Sequence, residues 1–367
     1  MSSRYKDALG LIVMENFKDF GNKIDKKIRE ERKLNTSFII PSKLEKFDDG
    51  TKKVVVDEDL IKDRDIYILS DVYNYSMTYP IRGFENHYDP DSHYQDIKRC
   101  ISAIAGEADR INVVAPLLYA SRQHRRKLQE SLDCSLALQE LQNLGVKRII
   151  TFDVHDPNIE NALYPTCSLD NFYPTHPILE EIIKNEDFDP KDLIVIGPDM
   201  GAADRAKYSA NMFGADLGLF HKRRDYSIVV NGQSPVVEHV YLGKDLKDKT
   251  VIISDDIISS GGSMIDVAKD AKENGAKRVY MLSSFALMTK GTKVFNDAYK
   301  DGLFDKLYST NLTYVDEETV KMPWYKEVDL SDRCAGIINA FSSGTSLKEY
   351  KNGKDKILQL IKQKQSM

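Results

Sequence analysis

Residues 251–264 read VIISDDIISSGGSM and restrict the possible folds more than any other stretch of the chain. Val251 to Ile253 are β-branched and make a strand, Asp255 and Asp256 follow Ser254, and a Ser-Ser-Gly-Gly-Ser turn precedes a helix over Ile265 to Lys272. A strand that ends in a turn at a sheet edge and feeds a helix leaves unpaired N–H groups and the positive end of the helix dipole facing the turn. Both favour an anion such as phosphate. Gly261 and Gly262 let the backbone approach closely, and Ser260 and Ser263 add hydroxyl donors. Carboxylates repel a phosphate unless hydroxyls or a cation stand between, so the stretch implies a phosphorylated sugar, a metal, or both. A solvated surface turn is the competing reading.

The strand-then-helix alternation recurs along 367 residues, enough for roughly two domains. Strands are predicted at Leu9 to Met14, Val54 to Val56, Asp65 to Leu69, Arg110 to Val114, Lys147 to Phe152, Leu193 to Ile196, Leu217 to Phe220, Arg278 to Leu287 and Lys306 to Ser309. Apolar spacing predicts helices over Phe17 to Arg32, Tyr94 to Ala108, Ala202 to Phe213 and Thr292 to Lys300. Leu128, Leu132, Leu136 and Leu144 predict a long helix closed by Gly145. Residues 70–93 read as a long structured loop, 157–177 as irregular chain with a domain junction, 225–246 as a hairpin or flap, and 348–365 as a charged helix or tail.

Open α/β sheets bind ligands beyond the carboxyl ends of their strands, so residues just after strands are the candidates. Ser121 to Arg126 form a donor-rich loop, His155 and Asp199 close their strands, and Lys222 to Arg224 place three cations together. Such a run suits a polyphosphate, although a solvated basic turn has the same composition.

Composition narrows the classes. A formal net charge of -5 argues against nucleic acid as a main partner. Four widely spaced cysteines form no CxxC pair, which points to buried thiols in a reducing compartment. The start of the chain has no apolar leader, and no run approaches a membrane span, so the expectation is a cytoplasmic protein away from membranes. G-x-G-x-x-G, P-loop and H-E-x-x-H signatures are absent, which disfavours dinucleotide-binding, P-loop kinase and zincin chemistry.

Residues 254–263, SDDIISSGGS, resemble the ribose-phosphate loop shared by phosphoribosyltransferases and ribose-phosphate pyrophosphokinases. Residues 119–126, YASRQHRR, and 151–155, TFDVH, resemble segments of the pyrophosphokinases in particular. So do 170–173, DNFY, Pro198 to Gly201 with Arg205, Lys222 to Arg224, and the pair Thr310-Asn311. The resemblance runs from about residue 10 to 345. It implies an α/β fold of two similar phosphoribosyltransferase-type domains, each a mainly parallel sheet flanked by helices. The boundaries expected are 1–160 and 161–345, with 346–367 a charged C-terminal helix or tail.

The resemblance also implies an activity: transfer of the pyrophosphoryl group of ATP to ribose 5-phosphate, with Mg2+ as cofactor, in a homo-oligomer built from dimers and reaching a hexamer. A catalytically weak or silent regulatory homologue is the alternative. Carried over by position, Ser260, Gly261, Gly262 and Ser263 hold the sugar phosphate, Ser259 lies in the same substrate-binding stretch, and Asp255 and Asp256 take the ribose hydroxyls and, through water, a magnesium ion. His155 and Asp199 stand at the triphosphate and its metal, Lys222 and Arg224 stabilise charge on the β-phosphoryl group, and Arg122 and Gln123 reach the nucleotide. Phe47 and Asp49 approach the adenine of a neighbouring subunit. The chain departs from the family pattern at Ser259 and Thr51, where the family has acids, at His124, where it has Asp, and at the extra Ser121. Of these, His124 is expected to lie away from the chemistry. Residues 70–93 are also longer than the family's equivalent.

Overall fold

The computed structural model describes residues 8–126, 128–224 and 236–365, with side chains described for all of these except 221–224, 236–239 and 365. The chain forms two compact units, one of residues 1–173, 311–314 and 329–352, the other of 174–310, 315–328 and 353–367. These groupings differ from boundaries at 160 and 345. The first unit runs on to complete a strand at Ser168–Phe172, and it recovers the later helix Ser331–Ser343.

In the first unit, strands β1 (Leu9–Val13), β2 (Asp65–Leu69), β3 (Arg110–Val114), β4 (Val146–Phe152) and β5 (Ser168–Phe172) lie side by side in that order, all parallel. All five residues of β2 are buried, as expected for a strand covered on both faces. Helix Ser331–Ser343 packs on helix Lys18–Arg32 and is tied to it by Lys27 Nζ to Asp332 Oδ2 at 3.0 Å and Arg32 Nε to Asn339 Oδ1 at 2.7 Å.

Three expectations in this unit need correction. The leucine-spaced helix is only Asp133–Asn143, and it buries Cys134, Ala137, Leu138 and Leu141. Leu136 and Leu144 are exposed, and Leu128, outside the helix, is 80% exposed. The leucine periodicity therefore marked the solvent side. Residues 70–93 contain an antiparallel hairpin, Thr78–Ile81 with Phe84–His87. They also contain the start of helix Pro90–Ile104, whose cap Asp89 accepts the Ser92 N–H at 2.7 Å. Residues 157–177 are not irregular throughout, since they hold β5 and the beginning of helix Thr175–Asn185.

In the second unit, the strands are β6 (Leu193–Gly197), β7 (Asp216–Arg224), β8 (Val236–Leu242), β9 (Thr250–Ile258), β10 (Arg278–Ala286), β11 (Lys306–Thr310) and β12 (Tyr325–Val328). Their order is β8-β7-β6-β9-β10-β11-β12, parallel except for β8 against β7. The basic run 221–224 continues β7 rather than forming a turn after it. Part of the expected flap is β8, and residues 225–235 lie outside the described residues. The C-terminal segment is not a loose tail. Helix Lys354–Gln365 buries Ile357 and Ile361 and packs on helices Thr175–Asn185 and Ala203–Phe213. Among the described residues, no helix is long and apolar enough to cross a membrane.

Candidate functional site

The second sheet reverses its winding at β6. From β6 the chain moves outward to β7 and β8, then returns to lay β9 on β6's other side. A crevice opens at such a reversal, beyond the carboxyl ends of the two neighbouring strands. Residues 198–201 follow the end of β6, and 259–263 follow the end of β9. β9 pairs with β6 only from Thr250 to Ile253, while its pairing with β10 continues to Ile258. Asp255 and Asp256 thus sit on the part of β9 that outruns β6.

The two acids have different surroundings. Asp256 is buried, its Oδ2 is 3.4 Å from Arg205 Nη2, and its Oδ1 accepts the Ile257 N–H at 2.9 Å. Asp255 is half-buried and accepts the Asp256 N–H at 2.9 Å. Burial and then the neighbouring Asp256 carboxylate raise the Asp255 pKa well above the usual carboxylate range, against the pull of Arg205. A cation or a hydroxyl donor placed here would favour the charged carboxylate and oppose that shift.

After β9 the chain turns through Ser259 and Ser260, both half-buried, into Gly261 at φ +86°. A Cβ at Gly261 would stand 2.3 Å from Phe295 Cζ, and the buried Phe295 ring is stacked on Trp324 at 5.4 Å. Glycine is therefore required twice over, by the backbone and by the space. The Thr289 N–H donates to Ser259 O at 2.8 Å and Leu287 N–H to Ile258 O at 2.8 Å, which fixes the outer side of the turn. Helix Gly262–Glu273 begins with no side-chain cap, and a Cβ at Gly262 would meet nothing nearer than Ser260 Oγ at 4.0 Å. Its first amides and the exposed Ser263 are available to an anion.

Asp199 follows β6 and is exposed, with Oδ1 accepting the N–H groups of Gly201 at 2.8 Å and Ala202 at 3.2 Å. It caps the turn Met200–Ala202 and keeps Oδ2 for another partner. Lys222 and Arg224 lie on β7, in register with His239 and Val236, and their side chains fall outside the described residues.

In the first unit, His155 follows β4 and is half-buried. The His124 ring lies 5.2 Å from it, tilted by 54°, and His124 Nε2 is 3.3 Å from Asp156 Oδ2. His124 thus stands against a candidate site residue, contrary to the expectation that it lies away from the chemistry. Arg122 and Gln123 are exposed on the same loop, which turns at Ala120 with φ +52°. Phe47 and Asp49 occupy the turn of a separate hairpin, Ser42–Lys46 with Lys52–Val56. There Asp49 Oδ1 accepts both the N–H and the hydroxyl of Thr51, at 2.8 and 2.6 Å, bonds that lower its pKa.

Comparison with known proteins gives two matches in succession. The N-terminal domain of ribose phosphate pyrophosphokinase matches residues 9–145, and the phosphoribosyl transferase domain matches residues 170–316. The chain belongs to the ribose-phosphate pyrophosphokinase family. It is 28% identical over 253 residues to ribose-phosphate pyrophosphokinase 2 of Schizosaccharomyces pombe, covering 68% of this chain and 74% of that one. It is 26% identical over 307 residues to ribose-phosphate pyrophosphokinase A of Dictyostelium discoideum, covering 82% and 87%. Phosphoribosylpyrophosphate synthetase from Mycobacterium smegmatis shares the fold, with a TM-score of 0.73 at 19% identity, over 91% of this chain and 98% of that one. In this pyrophosphokinase-family chain, the two-unit α/β architecture expected from sequence is present. The Asp255–Ser263 stretch stands at the winding reversal of its second sheet.

Proposed function

We propose that this chain transfers the pyrophosphoryl group of ATP to the anomeric hydroxyl of ribose 5-phosphate, giving 5-phosphoribosyl 1-diphosphate and AMP. The observation that carries the reading is the turn at Gly261, which joins an acid-bearing strand overhang to an uncapped helix N-terminus at the switch of the sheet. Its amides and the hydroxyls of Ser260 and Ser263 take the 5-phosphate, and Asp255 accepts from the ribose hydroxyls. The anomeric oxygen attacks the β-phosphorus, the bond from that phosphorus to the α–β bridging oxygen breaks, and the bridging oxygen leaves with AMP. Such an in-line displacement depends on positioning and on neutralising charge. Lys222 and Arg224 supply the latter; Arg122 and Gln123 hold the nucleotide, and Phe47 and Asp49 approach the adenine of a neighbouring subunit in a dimer-based homo-oligomer. The reading places the enzyme in the cytoplasm, in keeping with four free, buried cysteines.

The donor set suits Mg2+. In the second unit Asp199 keeps one carboxylate oxygen as a hard donor and Asp255 acts on an ion through water, and in the first unit the His155 ring is the proposed nitrogen ligand. Among the described residues, no three His, Cys, Asp or Glu side chains group at metal-binding distance. Mg2+ commonly draws its remaining ligands from phosphates and water, and when bound it offsets charge on the triphosphate.

A regulatory, catalytically silent homologue is the second reading, favoured by Thr51, which engages the Asp49 carboxylate, and by Ser259 in place of an acid. AMP release from ATP, Mg2+ and ribose 5-phosphate separates the two. The catalytic reading expects release that falls by about 10²–10³ in Lys222→Ala; nucleotide binding without AMP supports the silent one.

A further inference from the structure

The turn that carries Phe47 and Asp49 is flanked by two lysines, and both reach into tyrosine rings contributed by the segment 78–88. Lys46 precedes Phe47, and its Nζ stands 3.0 Å from the Tyr79 ring centroid and 5.7 Å from that of Tyr88. Lys52 follows Thr51; its Nζ is 4.1 Å from the Tyr88 centroid and 2.7 Å from Asp96 Oδ2, and the side chains of this ion pair are only 7% and 5% exposed. Burial, followed by the charge of Lys52, lowers the Lys46 pKa, the direction expected of an ammonium drawn out of water.

The rings are themselves fixed. Tyr79 and Tyr88 lie 4.9 Å apart, and Tyr88 stacks on His93 at 5.6 Å. The Tyr88 N–H donates to Met77 O at 2.9 Å, and His93 Nε2 bonds Asn74 O at 2.8 Å. Arg99 joins Lys52 on Asp96, at 2.7 Å. The side chain of Ile81 reaches the turn itself, 3.9 Å from where a Gly50 Cβ would stand.

The internal bonds of the turn, Phe47 N–H to Thr51 O and Thr51 to Asp49, set its shape. They do not set its direction. Phe47 is 49% exposed, and its ring meets Lys53 Nζ at 5.6 Å, so its position is inherited from the two lysines at the base. We infer that Tyr79 and Tyr88 form a cage around Lys46 and Lys52 that aims the Phe47–Thr51 turn, making the segment 78–88 a positioning element for the nucleobase. The inference rests on the reading of Phe47 and Asp49 as nucleobase contacts. Holding the turn in its binding direction before ATP arrives removes an ordering cost from nucleotide binding and leaves the chemical step untouched.

The test uses the full chain and its Tyr79→Ala, Tyr79→Phe and Lys46→Met variants. Two readouts are taken: steady-state kinetics with ATP and ribose 5-phosphate, and amide exchange at residues 47–51. Losing a desolvated cation–π contact should raise KM for ATP about fivefold in Tyr79→Ala and Lys46→Met, with kcat and the KM for ribose 5-phosphate unchanged. Exchange in the turn should quicken in both variants, while Tyr79→Phe, which keeps the ring, should match the parent protein. Unaltered exchange in Tyr79→Ala, or an equal rise in both KM values, overturns the cage. If the parent protein releases no AMP, the proposed function fails, and turn exchange with ATP affinity measured by calorimetry still decides the cage.

Discussion

Arg205, on helix Ala203–Phe213, sets its Nη2 3.4 Å from Oδ2 of Asp256 on β9, and both side chains are largely withdrawn from solvent. The pair anchors the buried member of the acid couple, and Asp255 is the more exposed of the two. Removing the guanidinium takes from a buried carboxylate the positive charge that stands 3.4 Å from it. Arg205→Met should therefore cost about 3–5 kcal/mol in urea unfolding at neutral pH. Mutating Asp256 to Asn in that background should recover part of the loss, because the buried negative charge is then gone.

Gly261→Ala tests the geometry of the turn. The new methyl would be added at φ +86° and 2.3 Å from Phe295 Cζ, a buried ring that is stacked on Trp324 and has no room to withdraw. Strain and overpacking together predict a loss of about 2–4 kcal/mol in thermal or urea unfolding. Gly262→Ala is the control. Its Cβ enters open space, so stability should hold while binding of ribose 5-phosphate weakens.

Asp255 predicts a proton signature. Its folded pKa lies above the ordinary 3.8, so the folded chain keeps a proton that the unfolded chain has released. The ligand-free protein should lose stability as pH rises from about 4 through the folded value, and Asp255→Asn should flatten that slope. Binding of Mg2+ with ribose 5-phosphate favours the carboxylate and should release protons. Calorimetry in buffers of different ionisation enthalpy reads that release, and it should vanish in Asp255→Asn.

Helix Asp133–Asn143 gives a stability test free of the active-site reading. Leu138 is buried and Leu136 exposed, so Leu138→Ala should cost about 2–5 kcal/mol and Leu136→Ala less than about 0.5 kcal/mol. Reversal of that order would place the helix with the wrong face inward.

The same helix shows where sequence reading succeeds and where it fails. Strands such as Leu193–Gly197 are buried throughout, and a continuous apolar run betrays them directly. Leu136 and Leu144 imitate a buried stripe, but the face actually buried joins small residues, Cys134 and Ala137, to Leu138 and Leu141. Helix Ser331–Ser343 went unread for a related reason: it buries Ala335, Gly336 and Ala340 among its larger residues, leaving a weak periodic signal. Within the site, the turn at Gly261 was legible because its requirements are local. The approach of Arg205 to Asp256 and of His124 to His155 depends on how separate elements pack, which residue spacing does not encode.

The central claim is tested most directly by a single turnover with ATP labelled at the β-phosphorus, in the presence of Mg2+ and ribose 5-phosphate. The account predicts that the label passes to 5-phosphoribosyl 1-diphosphate while an equal amount of AMP appears. Bound ATP that keeps its label, or label lost as inorganic phosphate without any sugar diphosphate, would contradict it.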